Sequence, residues 1–177
     1  MSPIGHSLVG LAFASIAISP SCSRIKKVCM PIVFVALANL PDWPIPNWGH
    51  DRYDISHSIY VNIALIFLLI FCWSFSPKVR SNLQLRYVLL GGAAWLSHLL
   101  LDSFYNHGNG IGVYWPFSDA HLNLSMPWFN TLDLSQSVFG THNLSVYATE
   151  FVAYFPLLLL AIAFSYITRS RDSAVAT

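Results

Sequence analysis

HSIYVNIALIFLLIFCWSF (His57–Phe75) runs for 19 residues without an Asp, Glu, Lys or Arg. At 1.5 Å per residue such a helix reaches about 28 Å, close to the thickness of a bilayer's hydrocarbon core. Working outward, four further apolar stretches predict comparable segments: Pro3–Ser19, Ile25–Leu40, Arg86–Phe104 and Thr149–Thr168. The first two are short for full crossings and fit tilted or partly re-entrant helices. Backbone groups in lipid must bond within their own segment, so all five are expected to be helices. The expected fold is all-α: a polytopic membrane protein with about five transmembrane helices. Residues 1–168 would form one transmembrane domain and residues 169–177 a short polar cytoplasmic tail.

Composition agrees with that class. Of the 177 residues, 55% are hydrophobic and 10% charged, against a charged share of about 25% in soluble globules. The net charge of +1 lacks the clustered basic excess of a nucleic-acid binder, so no nucleic-acid partner is expected. Cys22, Cys29 and Cys72 have no CxxC spacing and lie in or beside apolar segments, which suits buried packing rather than disulfides or a thiolate metal knot. The first stretch has no basic run before it and no small-x-small cleavage pattern before Cys22, so it is expected to stay in the mature chain.

Basic residues set the orientation. Arg24, Lys26, Lys27, Lys78, Arg80, Arg86, Arg169 and Arg171 fall in the first connection, the third connection and the tail, which a five-span chain places on one side. Arg52 alone falls opposite. Short loops rich in Lys and Arg stay cytoplasmic, so the Pro41–Ser56 and Asn106–Ala148 connections are expected outside. Their Trp43, Trp48, Trp115 and Trp128 suit an interfacial belt.

On that topology the ionisable residues converge. His6 lies near the outer end of the first span, Asp42 closes the second, and Asp54 and His57 open the third. His98 and Asp102 are four apart, hence on one face of the fourth helix near its outer end, and His107 follows in the loop. Ionisable groups within spans are costly and mark function by default. Imidazoles and carboxylates together suit zinc or a similar divalent cation, one or two ions, and an open coordination position would activate water. The cation would also offset the charges of Asp42 and Asp102, whose segments supply no Lys or Arg partner. The candidate ligands are therefore His6, Asp42, His57, His98, Asp102 and His107.

Gly5-His6, Leu40-Pro41-Asp42, Asp51-Arg52 through His57-Ser58, Ser97-His98-Leu99-Leu100-Leu101-Asp102, His107-Gly108 and Trp115-Pro116-Phe117 resemble the membrane-bound metal-dependent hydrolase family that includes the LexA-regulated inner-membrane proteins. The resemblance covers roughly residues 1–117 and implies a multi-pass protein of a bacterial inner membrane. Family members often carry His-Arg where this chain has Asp51-Arg52, with His50 one residue earlier. The ligand order is also similar to that of zinc-dependent phospholipases C and related nucleases, which hydrolyse phosphodiesters. That similarity implies one complete metal site at Asp42, His57, His98 and Asp102, with His6 and Asp102 in part of a second and His107 in a third. The closing HxxxE pair of those enzymes is not intact, because His142 and Glu150 are eight apart.

Each residue also has a plainer reading. Any single membrane histidine can bond a neighbouring helix, and His50, His121 and His142 read as solvated loop residues. Arg52 is either an anion clamp for phosphate or an interfacial anchor, and Asp54 is either a general base or a cap for the third helix. Glu150, early in the last span, is a candidate ligand or base. The expected function is metal-dependent hydrolysis of a phosphoester or other ester of a lipid or small amphiphile at the outer headgroup level. The alternative is a non-catalytic metal binder or transporter. A transporter needs ligands near the midplane, whereas the inner halves of these spans carry no acid or histidine.

Overall fold

The computed structural model describes residues 2–19, 22–106 and 108–175. They form α1 (Pro3–Ala17), α2 (Arg24–Ala38), α3 (Tyr53–Ser56), α4 (Ile59–Phe75), α5 (Pro77–Asn82), α6 (Leu85–Ser103) and α7 (Thr141–Val175), with tight turns at Leu40–Asp42 and Gly49–Arg52. No strand occurs among the described residues. The only extended pairing described is an isolated one between Ile111 and Leu122.

Serines start most of these helices. Ser2 accepts from the Ile4 amide ahead of Pro3, Ser23 from Lys26, Ser58 from Val61 and Ser76 from Val79. Each satisfies an amide that the first turn leaves without an intrahelical partner. Asp54 was a candidate for capping the third long helix, but Ser58 does so instead. Pro77 at the first position of α5 makes a short helix where a plain basic connection was expected.

α1 is the central helix, packed against α7, α2 and α6. A Cβ at Gly10 would stand 2.8 Å from the Phe34 carbonyl oxygen, so α1 and α2 meet backbone to backbone. Ala14, Ala17, Phe34, Tyr87 and Ala94 fill the space among α1, α2 and α6. Leu8, Val9, Leu101, Tyr105, Phe129 and Tyr154 fill it towards α7 and the long loop.

The outward surface is apolar. Along α4 only Asn62 is buried, while Phe67, Leu68, Phe71 and Phe75 are exposed, and α7 exposes Val152, Leu160 and Phe164. So continuous an apolar exterior belongs in lipid. Length is less uniform than the sequence suggests. Among the described residues, one helix, Thr141–Thr168, is long and apolar enough to cross a membrane by itself. Residues 49–56 and Ile59–Phe75 qualify only as a pair, bent by 90°. α1 and α2 have 15 residues each, a rise of about 22 Å. The last helix begins at Thr141, ahead of the expected Thr149, and runs to Val175 through most of the expected tail.

The ends of the bundle differ in character. Lys26 Nζ donates to the Asn82 carbonyl at 3.2 Å, and Arg86 donates to the Ile16 carbonyl, so basic residues of α2 and α6 gather where α1 ends. The opposite end carries the start of α1, the end of α2, the start of α4 and the end of α6.

Candidate metal centre

Four of those helix ends deliver histidine or aspartate. His6 comes from the second turn of α1 and Asp42 from the turn after α2. His57 lies in the bend between α3 and α4, and His98 and Asp102 come from the last turns of α6. His6, His57, His98 and Asp102 are fully buried, whereas Asp42 keeps 22% side-chain exposure.

The contacts are close. His57 Nε2 lies 3.2 Å from Asp102 Oδ2, 3.4 Å from Asp42 Oδ1 and 3.2 Å from His98 Nε2. His98 Nε2 lies 3.4 Å from Asp102 Oδ2 and 3.6 Å from Asp42 Oδ1. The other Asp102 oxygen, Oδ1, is 3.1 Å from His6 Nε2, and the His6 ring stacks on His98 with centroids 3.8 Å apart.

Backbone carbonyls choose the tautomers. His98 Nδ1 is 2.8 Å from the Ala38 carbonyl, and His57 Nδ1 is 3.2 Å from that of Tyr53. A carbonyl only accepts, so His98 Nδ1 carries a proton, and His57 Nδ1, also 2.8 Å from the Ser56 hydroxyl, does so where that hydroxyl accepts; in the neutral rings the Nε2 lone pairs then turn inward. Two lone pairs and two carboxylate oxygens then face one another, a contact that a cation at their centre relieves.

The separations fit a divalent cation. A tetrahedral zinc site with bonds of about 2.0–2.1 Å has ligand–ligand edges of about 3.3–3.4 Å; the five edges given above span 3.2–3.6 Å. The Nδ1 contacts to carbonyls are the outer-shell bonds by which ligating histidines are held. Asp42 Oδ1 and His6 Nδ1 are buried without a hydrogen-bond partner. Such groups cost about 1–3 kcal/mol each when left unsatisfied. His6, Asp42, His98 and Asp102 each offer a ligand atom within 4.8 Å of the others, so the cluster could hold a metal ion.

Electrostatics follow from this packing. Burial pushes the Asp42 carboxyl up, but the imidazoles of His57 and His98, where they carry a proton on Nε2, outweigh it and hold the group well below the usual carboxylate range. Burial, then the negative charges of Asp102 and Asp42, push the Tyr53 phenol well above its ordinary range. Tyr53 therefore stays protonated, with its ring stacked on His57 at 3.8 Å between centroids.

The remaining sequence candidates lie elsewhere or at the edge. Glu150 is wholly buried on α7, but its carboxylate accepts from the Ser2 amide at 2.8 Å, from the Ser2 hydroxyl and from the Gly5 amide at 3.0 Å. It thus binds the positive end of α1, one residue before His6. Arg52 and Asp54 are exposed, next to Tyr53 in the chain. His107 lies outside the described residues. His121 donates to the Asp119 carbonyl within its own loop, and His142, in the first turn of α7, to that of Thr131. His50, read as a plain loop residue, comes within 3.7 Å of Asp42 Oδ1 while its side chain stays 76% exposed. Its position depends on the turn at Gly49, whose φ of 55° and close approach to the Trp43 carbonyl exclude a side chain. No periodicity in the sequence signals that turn.

An all-helical protein with an apolar exterior and a buried His/Asp cluster at one end belongs to the membrane class, as a candidate metal binder. The chain belongs to the YdjM inner membrane protein family, whose model matches residues 1–172. No curated protein and no solved structure matches it.

Proposed function

We propose that the protein is a membrane-bound metal-dependent hydrolase acting on a phosphoester, or another ester, of a lipid or amphiphile. The observation that carries this reading is the inward-facing set of His57 Nε2, His98 Nε2, Asp42 Oδ1 and Asp102 Oδ2, whose contacts of 3.2–3.6 Å match the edges of a metal coordination shell. These four residues would hold a divalent cation, most simply zinc, which would supply water of lowered pKa and polarisation of an ester oxygen.

The chain's own residues divide the work. His57 and His98 are held rigidly through their Nδ1 contacts, so the ligand geometry is set before substrate arrives. Asp102 turns one oxygen to His57 and His98 and the other to His6, so Asp102 and His6 are the residues that would hold a second ion. Asp42 and the exposed His50 line a partly exposed side of the quartet, and substrate enters there. Arg52, exposed two residues from His50, is available to pair with a phosphate. Asp54 remains a candidate base beside it.

Five helices crossing the membrane, two of them short, with the cluster on the extracytoplasmic side, best accommodate the apolar exterior and the basic residues at the other end. A site at that depth meets phosphates already concentrated in headgroups. Cysteine substitutions at Asn109 and Lys78 should label from opposite sides of the membrane, Asn109 from outside. Labelling of Asn109 from the cytoplasm would remove the outer-leaflet substrate. The activity itself is tested with detergent-purified protein, a chromogenic phosphodiester and a short-chain phospholipid. Turnover should vanish on chelation and return with zinc. Metal-loaded protein that cleaves neither ester class would favour a non-catalytic metal binder.

A further inference from the structure

We propose that Asn62 is a positioning residue of the metal centre, a latch that fixes His57 against His98. This rests on the metal reading above. Asn62 is the one buried residue of α4, and it lies in the second turn of an otherwise apolar helix. An amide buried at that depth is costly unless its hydrogen-bonding groups are bonded.

Its bonds all lead to the centre. Nδ2 donates to the Ser56 carbonyl at 2.8 Å and to the Ser58 carbonyl at 2.7 Å, the two residues that flank His57. Oδ1 accepts from Trp95 Nε1 at 2.6 Å, and Trp95 sits one turn before His98 on α6. The two carbonyls on one side and the indole N–H on the other fix which amide atom is which. One side chain therefore ties the bend that carries His57 to the helix that carries His98 and Asp102. At that bend the axis turns by 90°, so continuous helical bonding does not hold His57 in place.

Asparagine is specific to this duty. Aspartate has nearly the same shape but would set an oxygen against two carbonyls, and leucine would take the partner from the Ser56 carbonyl and the Trp95 N–H and leave the Ser58 carbonyl only the backbone amide of residue 62. Loss of an outer-shell partner of this kind weakens metal binding by about 10–100-fold.

The test loads the purified full chain with Co2+ and reads both the dissociation constant and the visible absorption spectrum, which reports ligand geometry directly. Asn62→Asp and Asn62→Leu should each weaken Co2+ by about 10–100-fold and change the spectrum. Trp95→Phe keeps the ring packing and removes only the N–H donor, so it should shift both readouts in the same direction by a smaller factor. Thermal unfolding of the metal-free proteins separates this from a general loss of structure. Folded Asn62→Asp with the parent affinity and spectrum would overturn the latch. If the Asn62 variants do not fold, an unchanged affinity and spectrum in Trp95→Phe would overturn it equally. A parent chain that takes up no Co2+ would overturn the metal reading itself, and the latch with it.

Discussion

Replacing Asp102 with asparagine is expected to empty the centre. Its carboxylate touches three imidazoles, His6 through Oδ1 at 3.1 Å and His57 and His98 through Oδ2 at 3.2 and 3.4 Å. The amide keeps the shape but loses the charge, and its NH2 would donate to the imidazole lone pairs or take the place of an oxygen ligand, in either case competing with the ion. The loss of zinc affinity should exceed the roughly 100-fold that an outer-shell change costs, because a ligand and a unit of charge leave together. Asp42→Asn, His57→Ala and His98→Ala should behave alike, since each removes one corner of the same set. His121→Ala should retain the metal, as its ring is bonded to its own loop. Elemental analysis of the five purified variants gives the answer, and equal metal content in all five would rule out the assignment.

His6→Ala should separate activity from metal retention. His6 contacts Asp102 Oδ1 and stacks on His98, but its Nε2 is not among the inward-facing set around His57. Without it the ion at Asp42, His57, His98 and Asp102 should remain, while a second ion that His6 would help to hold should be lost. Turnover should then fall by at least the 100-fold typical of a missing catalytic group, with metal content reduced by no more than half. Full activity in His6→Ala would reduce the centre to a single ion. Loss of all metal would instead place His6 in the first site, which the grouping of His6, Asp42, His98 and Asp102 within 4.8 Å also permits.

Much of this centre is legible in the sequence, because acids and histidines in apolar helices stand out against their neighbours. Asp42, His57, His98 and Asp102 meet as their spacing and depth suggest, and the HxxxD pair on α6 needs only helical periodicity. What escapes is long-range or conformational. Glu150 looks like a ligand because it is an acid at the right depth. It lies instead against the α1 amides, a pairing 148 residues apart that local pattern cannot reveal. His50 looks like a loop residue because its approach to Asp42 depends on a turn, not on a helix. Asn62 is hidden inside the most apolar stretch of the chain, where one amide barely alters the hydropathy. The early start of α7 is missed for the opposite reason: His142, Asn143 and Ser145 are polar, yet they continue the helix beyond the apolar run.

The central claim, that this cluster is a divalent-metal centre and not a set of histidine–carboxylate contacts locking helices together, turns on the metal content of the chain purified without chelator. One or two zinc-class ions per chain, lost in Asp102→Asn and kept in His121→Ala, is the expected result. A chain that carries no divalent metal and binds none when zinc is supplied would contradict it, and the four inward-facing groups would then have to be held together by protons alone.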